Sequence, residues 1–508
     1  MRIHKSIKIF YFFFIILLVT SCSQEKEIKK TTIQEDILTN KNSFFYVDVK
    51  NYPKKNKKLP IGIFDSGTGG LTVLDAIVNS DQFDNFDHSA SAKGDAKRDF
   101  DEECFIYLGD KANMPYGEYS GNNKTALLKE HVIKDMQFLL GNKYYRNEND
   151  DKPQVDKQQI KALVIACNTA TAYGKSDIEE FIKNAGLDLK VIGVIGAGVR
   201  GALETIEKEE NAVVGIMATA GTVASNGYPN TVIEQKEKLG YKGKIESYQQ
   251  AGIGLAAAID GEIDYLNPEL TVPRDNYRGP SFNNEKAKID INILSRYDFD
   301  YHNDHILLKG SKDNPTNIQL NSVRNYIAYH VISLLEKIKS SGTKNKLKAV
   351  ILGCTHFPFF MKEFQEEYKR AYNLKEKGNF IYRSFIVQEI QLIDPAINTA
   401  KELYTYLDES QLFNNDDIMK SEFYISVPNS RNSNNIIDEN GKFTYEYKYG
   451  RNAGYIQEYV IRVPFSRRSL SNDLIERLSE QIPFTFKLLE SFDRNNPKTE
   501  FLTEKERI

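Results

Sequence analysis

The sequence lacks a marked excess of charge of either sign, and it lacks any extended low-complexity tract. Lys and Arg number 67 and Asp and Glu number 70, which gives a formal net charge of -3. Proteins that bind nucleic acid need a clustered excess of basic residues, so we expect no nucleic acid partner. Within 508 residues, the 41% hydrophobic content supplies enough material for two or three domains with sizeable cores.

Cysteine is also scarce, with four residues in the whole chain. Cys22 lies in an N-terminal export pattern, which leaves Cys104, Cys167 and Cys354 as an odd and widely spaced set. Such a set does not indicate a disulfide framework. The sequence has no CxxC pair and no cluster of His and Cys at zinc-ligand spacing, so we expect no metal. Chemistry must then come from individual thiols, and Cys104 is interpreted as structural.

The N-terminus has the layout of an export signal. Arg2, Lys5 and Lys8 precede an apolar run over residues 9–19, and the segment that ends in Cys22 resembles the lipobox of bacterial lipoproteins. In that motif the signal is cut before the cysteine, which is then acylated. The run is shorter than the ~20 residues of a typical transmembrane helix. A transmembrane helix, an ordinary signal peptide and a buried helix remain the alternatives.

This interpretation predicts a tether to a membrane. Residues 1–22 would be the signal, and residues 23–58 would be a polar, Lys-rich linker between a lipid on Cys22 and a folded body that begins near Leu59. The protein would then be an exported, membrane-anchored lipoprotein on the periplasmic or outer surface. It would be cytoplasmic if the signal is not used.

The body shows the pattern of an α/β fold. Short runs rich in Val and Ile alternate with longer amphipathic stretches, as in a mostly parallel sheet covered by helices. Predicted strands cover residues 61–64, 104–108, 162–165, 190–194, 212–217, 349–352 and 385–387. Predicted helices cover residues 72–79, 124–141, 177–185, 232–239 and 322–340.

Two segments recur in the same order, which predicts two similar halves. Residues 161–167 (KALVIAC) match residues 348–354 (KAVILGC) in residue type at every position. Each is preceded along the chain by a Gly-Ile strand that leads into hydroxyl and small residues, at residues 62–67 and 215–220. We therefore expect two pseudo-symmetric parallel-sheet α/β domains that face each other across a cleft.

The repeat also gives predicted boundaries. The first half would cover residues 59–188, and the second half would cover residues 189–375 with a polar insertion at about residues 260–316. Residues 376–508 would return to the first half and add a C-terminal extension.

The predicted strand ends carry residues with chemical potential. Asp65, Cys167, Thr219 and Cys354 each follow a strand, where parallel sheets collect functional residues. Facing halves would bring the two thiols into one cleft from opposite sides. Inverting a carbon beside a carboxylate requires proton removal on one face and delivery on the other, and thiols with an ordinary pKa of about 8.5 can serve as base and acid. A small core residue is the alternative for each cysteine.

Five motifs, in order along the chain, resemble those of the glutamate racemase family, and residues 392–395 (LIDP) add a weaker similarity. They are residues 61–71 (IGIFDSGTGGL), 114–117 (MPYG), 167–170 (CNTA), 221–225 (GTVAS) and 353–358 (GCTHFP). The resemblance implies an aspartate/glutamate racemase-like fold. It also implies interconversion of L- and D-glutamate without a cofactor, for peptidoglycan.

The resemblance further implies a role for each matching residue. Cys167 and Cys354 would be the paired acid and base, with Asp65 assisting the first and His356 the second. Tyr116 and Gly117 would contact the side-chain carboxylate of the substrate. The full substrate-binding set would be Asp65, Ser66, Tyr116, Gly117, Asn168, Thr169, Thr355 and His356.

Simpler interpretations of some of these residues stay open. Asp65 could be a helix cap, Tyr116 could be a packing residue, and His356 could be a capping or packing residue. The glutamate that the family has in its second half, after a Cys-Pro segment, has no clear counterpart. The corresponding region leads to Asp260 and Glu262 in an ambiguous register.

Gly196, Gly198 and Gly201 fit a dinucleotide-binding fingerprint. The fingerprint also requires an acidic residue at the end of the next strand, and that strand has none. We therefore do not predict a nucleotide site.

Two further functions are kept as alternatives. One is a tethered lipoprotein that binds an amino acid without turnover, and the other is racemisation of another amino acid such as aspartate. The expected partners are a small amino-acid substrate, the membrane through Cys22, and a second copy of the chain in a homodimer.

Overall fold

The computed structural model describes residues 32–91 and 94–508. Cys22 and the predicted export signal therefore lie outside the described residues. Within the described ranges, no helix is long and apolar enough to cross a membrane.

The elements are numbered in chain order. The strands are β1 (Ile61–Asp65), β2 (Phe105–Gly109), β3 (Ala162–Ile165), β4 (Lys190–Gly193), β5 (Ala212–Ala218), β6 (Ile245–Ala251), β7 (Ile306–Gly310), β8 (Pro315–Leu320), β9 (Lys346–Gly353), β10 (Lys375–Glu376), β11 (Asn379–Phe380), β12 (Ile386–Ile393), β13 (Glu422–Pro428) and β14 (Val460–Pro464). The helices are α1 (Ile33–Thr39), α2 (Leu71–Val78), α3 (Gly117–Gly121), α4 (Thr125–Leu140), α5 (Asn168–Asn184), α6 (Val194–Glu204), α7 (Ala220–Ala224), α8 (Gly227–Lys238), α9 (Leu255–Ile259), α10 (Leu294–Tyr297), α11 (Val323–Ser340), α12 (Met361–Asn373), α13 (Pro395–Glu409), α14 (Tyr445–Gly450), α15 (Asn472–Gln481) and α16 (Pro483–Asn495).

The first sheet has six strands in the order β14-β13-β2-β1-β3-β4. All neighbours run parallel except β14, which pairs antiparallel with β13 at the edge. Every residue of β1, β2 and β3 is buried, which is why these strands are continuous apolar runs rather than alternating ones.

The second sheet has four parallel strands in the order β12-β9-β5-β6. Its order repeats that of the central part of the first sheet, because β1 lies between β2 and β3 just as β5 lies between β6 and β9. The α/β class with two pseudo-symmetric parallel-sheet halves across a cleft is therefore confirmed.

The seven predicted strands all lie within or overlap observed ones, but seven observed strands were not predicted, namely β6, β7, β8, β10, β11, β13 and β14. The strand β6 is an edge strand with the polar sequence IESYQQA, and most of its residues are only partly buried. An edge strand with little apolar character gives no periodic signal. The second half also carries the antiparallel hairpin β7-β8 within its insertion.

The prediction of a linker over residues 23–58 is wrong for its described part. Ile37 and Phe45 are buried in the core of the first half. The Tyr52 hydroxyl donates to the Ile160 carbonyl oxygen at 2.8 Å. The few apolar residues in this polar stretch are spaced so that they meet the first half, and the folded body therefore includes it.

Two predicted boundaries also need correction. The limit at residue 188 separates β4 from the first sheet, to which it belongs, and the limit at residue 375 excludes β12 from the second sheet. The chain returns to the first half with α13, which packs against α6 and α2. Periodicity predicts elements, but it does not show which sheet a strand joins.

The Gly-rich segment that resembles a dinucleotide fingerprint serves helix packing. A Cβ atom at Gly201 would lie 2.5 Å from the Asn398 side chain, and one at Gly198 would lie 3.1 Å from Pro395. These glycines let α6 and α13 approach closely, which accounts for them without a nucleotide.

Candidate active site

The carboxyl ends of β1, β3, β5 and β9 open onto one cavity of about 930 Å³ between the two halves. Asp65, Cys167, Thr219 and Cys354 line it, one from each of these strand ends. All the predicted catalytic and substrate-binding residues also contribute to its lining. They are Asp65, Ser66, Tyr116, Gly117, Cys167, Asn168, Thr169, Cys354, Thr355 and His356.

Cys167 lies at the N-terminus of α5, where its sulfur accepts the Ala170 N–H at 3.4 Å. The thiol donates to Ser66 Oγ, 3.6 Å away. Burial raises the pKa of Cys167 to about 12, and the nearby negative charge of Asp65 acts in the same direction. Cys167 is therefore a protonated thiol at neutral pH.

Asp65 forms the turn between β1 and α2 and also faces Cys167. Its Oδ2 accepts the N–H groups of Gly67 and Gly70, each at 3.0 Å. A Cβ atom at Gly70 would lie 2.4 Å from the Asp65 Cβ, so the turn requires glycine there. Burial raises the pKa of Asp65, while these backbone donors and the Cys167 thiol oppose the shift. The capping interpretation and the assisting interpretation therefore both fit this residue.

The second thiol has a different environment. Cys354 Sγ lies 3.6 Å from His356 Nδ1, and His356 Nε2 lies 3.3 Å from Asp260 Oδ2. Burial alone would lower the pKa of His356, but its contacts with Asp260 and Cys354 outweigh burial and raise the pKa to about 10. His356 is therefore an imidazolium at neutral pH, and it places a positive charge beside Cys354.

Of the two acidic candidates in the second half, Asp260 is the one that contacts His356. It follows α9 directly and contacts His356, whereas Glu262 is exposed. Burial raises the pKa of Asp260, but His356 and Arg477 outweigh it, so the net pKa is lowered. Arg477 comes from the C-terminal extension, and its Nη1 lies 2.8 Å from Asp260 Oδ1.

The Tyr116 side chain is held in a buried hydrogen-bond network, and its predicted contact with the substrate stays a prediction. Its hydroxyl is buried and lies 2.6 Å from Asp110 Oδ2 and 2.5 Å from Asp135 Oδ2. A phenol has one proton to donate, so one of the two carboxyls must supply the other. Burial and the charge of Asp110 raise the pKa of Asp135 well above its ordinary value, which fits a protonated carboxyl.

Tyr116 and Gly117 both line the cavity. Within the described residues, the N–H groups of Tyr116 and Gly117 have no hydrogen-bond acceptor. They are free to donate to a bound anion.

The remaining positions connect the two halves. Asn168 Oδ1 accepts the hydroxyl of Tyr228 from the second half at 2.9 Å. Thr355 Oγ1 lies 3.4 Å from His356 Nδ1, and a Cβ atom at Gly69 would lie 3.3 Å from Thr355 Oγ1. Ligand binding at these residues would therefore involve both halves.

The residues of the site region that were not assigned from the sequence include Lys286, Asp260 and Arg477. Lys286 lies in the insertion and lines the cavity, Asp260 was one of two candidates, and Arg477 gave no signal. Asp260 and Arg477 are 217 positions apart, and periodicity carries no information on such contacts. Among the described residues, no group of His, Cys, Asp and Glu is arranged to hold a metal ion.

Comparisons with known proteins find relatives that are named glutamate racemase. No family model matches the chain. The protein from Oceanobacillus iheyensis is 25% identical over 365 residues, which cover 72% of this chain and 85% of that protein. The protein from Latilactobacillus sakei subsp. sakei is 35% identical over 172 residues, which cover 34% of this chain and 46% of that protein.

These relatives support the predicted enzyme class, an amino-acid racemase. Solved glutamate racemases from Bacillus anthracis and from Francisella tularensis, the latter in complex with D-glutamate, are each 20% identical to this chain. The first match covers 72% of this chain and 88% of that chain with a TM-score of 0.41. The second covers 78% of this chain and 95% of that chain with a TM-score of 0.39.

Proposed function

We propose that this protein is a glutamate racemase that interconverts L- and D-glutamate with two cysteines and no cofactor, for use in peptidoglycan. The observation that carries the proposal is the placement of Cys167 and Cys354. They follow equivalent strands of two similar sheets, they line one cavity, and each has its own assisting group. A site that only bound an amino acid would have no use for two such thiols.

The unlike surroundings of the thiols suggest the direction of proton flow. The His356 imidazolium lies beside the Cys354 sulfur, whereas burial and Asp65 hold Cys167 as a thiol. In the direction that starts from this form, the Cys354 thiolate removes the α-proton and the Cys167 thiol delivers a proton to the opposite face. Cys354 ends as the thiol and Cys167 as the thiolate, so one proton leaves the substrate and one enters it.

The substrate carbanion needs stabilisation that does not come from a cofactor. The N-terminus of α5 begins at Asn168, directly after Cys167, and its free backbone donors and dipole favour a carboxylate there. Asn168, Thr169 and Thr355 supply further polar groups around the α-carbon.

The preference for an acidic side chain is assigned to the other end of the cavity. The unpaired N–H groups of Tyr116 and Gly117 would bind the side-chain carboxylate. Lys286 adds a positive charge to the cavity lining and Glu118 a negative one, so the backbone donors carry this assignment. The relatives named glutamate racemase favour glutamate over aspartate as the substrate.

Activity is tested by incubating signal-free protein with D-glutamate, L-glutamate or L-aspartate, without added cofactor, and separating the enantiomers by chiral chromatography. We expect conversion of both glutamate enantiomers towards an equal mixture and little conversion of aspartate. Cys104→Ala is the matched control, because Cys104 is a buried thiol outside the cavity. Conversion of aspartate alone would contradict the proposal that glutamate is the substrate. Binding of glutamate without conversion would contradict the proposal that the protein is a racemase.

We also propose that the protein is exported and acylated at Cys22, on the basis of the N-terminal sequence pattern. Ten positions separate Cys22 from Thr32, where the described body begins, so the body would be held within about 35 Å of the lipid. Labelling of cells with a radioactive fatty acid should mark the wild-type protein but not Cys22→Ser. Equal labelling, or none in either, would contradict this proposal.

A further inference from the structure

We propose that Arg477, on the C-terminal extension, is a positioning residue for the acid–base centre at Cys354. This inference rests on the proposed racemase function and adds to it a part of the chain that no motif covers. It makes the C-terminal extension part of the active site rather than an appendage to the first half.

A continuous series of contacts leads from Arg477 to the reacting sulfur. Arg477 Nη1 lies 2.8 Å from Asp260 Oδ1, and Asp260 Oδ2 lies 3.3 Å from His356 Nε2. His356 Nδ1 lies 3.6 Å from Cys354 Sγ. The Arg477 guanidinium pairs with Asp260 Oδ1, which leaves Asp260 Oδ2 directed at the imidazole ring of His356.

Buried residues on either side of Arg477 in the sequence fix its position. Ile475 and Leu478, on the same helix α15, are buried in the core of the first half. In the next helix, α16, the Thr485 hydroxyl donates to Asp75 Oδ1 at 2.8 Å. Arg477 is thus carried by the first half, whereas Asp260 belongs to the second half, and their ion pair crosses between the halves.

The charges in this series of contacts affect the protonation of His356 as well as its position. His356 faces Asp260 and Cys354, and Asp260 faces His356 and Arg477. Arg477 fixes the orientation of the Asp260 carboxylate, and a carboxylate held 3.3 Å from the ring favours the imidazolium. Because the guanidinium itself repels the imidazolium, Arg477 acts through this orientation and not through a direct attraction.

The test combines kinetics with a measurement that needs no turnover. Arg477→Ala, Arg477→Lys and the control Arg494→Ala are compared with wild type in kcat, KM and the pH dependence of kcat/KM for glutamate. Arg494 is a suitable control because it lies on the same extension in an exposed pair with Glu504. Separately, the pKa of His356 is measured by proton NMR, with its signal assigned by comparison with His356→Asn.

We expect Arg477→Ala to lower kcat about tenfold with KM changed less than about twofold, since loss of a positioning contact affects the reacting geometry more than binding. The alkaline limb of kcat/KM and the pKa of His356 should both move to lower pH. Arg477→Lys should restore part of each, and Arg494→Ala should match wild type. In addition, Arg477→Ala should add little to the defect of Asp260→Asn, because the two residues act through one contact.

The inference is overturned if Arg477→Ala keeps the wild-type kcat and His356 pKa, or if Arg494→Ala shows an equal loss. If the proposed racemase function is wrong, a different result is expected. In that case wild-type protein itself would not racemise glutamate, whereas the His356 titration would still report on the effect of Arg477.

Discussion

At the residue scale, the two thiols differ in what surrounds them. Cys167 faces the carboxylate of Asp65, and Cys354 faces the imidazolium of His356. Burial and Asp65 favour the thiol form of Cys167, whereas a positively charged ring lies beside Cys354, so the two sulfurs have unlike electrostatic surroundings. The matched sequence segments predict the two positions, but the difference between them arises from neighbours that are distant in sequence.

This difference predicts unequal reactivity. Burial and a pKa of about 12 should make Cys167 react with iodoacetamide more than about 100-fold more slowly than a free cysteine at pH 7.5. Cys354 should be alkylated before Cys167, as followed by mass spectrometry of cysteine-containing peptides. Faster modification of Cys167 would show that its thiol is not held protonated.

His356 predicts a pH dependence of stability. Its pKa is raised from the ordinary 6.5 to about 10 in the folded state, so its contribution is fully present below pH 6.5 and is lost as the pH rises through about 10. The free energy of unfolding, measured by urea denaturation, should therefore fall across this window in wild type. In Asp260→Asn the fall should be smaller. An equal fall in both proteins would assign the effect to other groups.

Substitution of Tyr116 should affect the stability of the fold but not the binding of substrate. Tyr116→Phe removes the hydrogen bond to Asp110 and Asp135 and should lower the free energy of unfolding by about 1–3 kcal/mol. The KM for glutamate should change little, because the proposed contact is made by the backbone N–H group. A large rise in KM with unchanged stability would show instead that the Tyr116 hydroxyl contacts the substrate.

At the element scale, some helices and strands are formed by segments with few apolar residues, where sequence patterns predict loops. The edge strand β6 is only partly buried, and the stretch that contains Ile37 and Phe45 has few apolar residues, yet both are ordered parts of the halves. Central strands such as β1 and β3 are predictable because burial on both faces demands an unbroken apolar run. Edge strands are not buried on both faces, so they do not require an unbroken apolar run.

The contact between α6 and α13 gives a test at this scale. Gly201→Ala places a Cβ atom 2.5 Å from the Asn398 side chain and should destabilise the fold by about 1–3 kcal/mol. Gly196→Ala is the matched control, since its Cβ atom would meet only the end of the Gln235 side chain, at 3.2 Å. Both are followed by thermal denaturation, and equal effects would contradict the role of Gly201 in helix packing.

At the scale of the whole molecule, the cavity depends on chain segments far apart in sequence. The first half supplies Asp65 and Cys167, the second supplies Cys354 and His356, and the C-terminal extension reaches Asp260 through Arg477. The internal repeat predicts the meeting of the two halves. It cannot predict the extension, because the extension has no counterpart in the repeat.

The extension should also be required for folding. It supplies β13 and β14 to the first sheet, and Phe465, Leu488 and Leu489 to its core. A chain that ends after residue 420 would leave β2 as a sheet edge and expose this core, so we expect insoluble protein on expression. Soluble, cooperatively folding protein of this length would show that the extension is an independent addition.

The central claim is that two thiols from opposite halves exchange protons with the substrate, and α-proton exchange tests it most directly. Signal-free protein in deuterium oxide is mixed with L-glutamate or D-glutamate, and the α-proton signal is followed by proton NMR beside Cys167→Ala, Cys354→Ala and Cys104→Ala. We expect exchange accompanied by inversion in wild type and Cys104→Ala, with inversion abolished in each of the other two. Inversion that persists without either Cys167 or Cys354, or its absence from well-folded, reduced wild-type protein, would contradict the central claim.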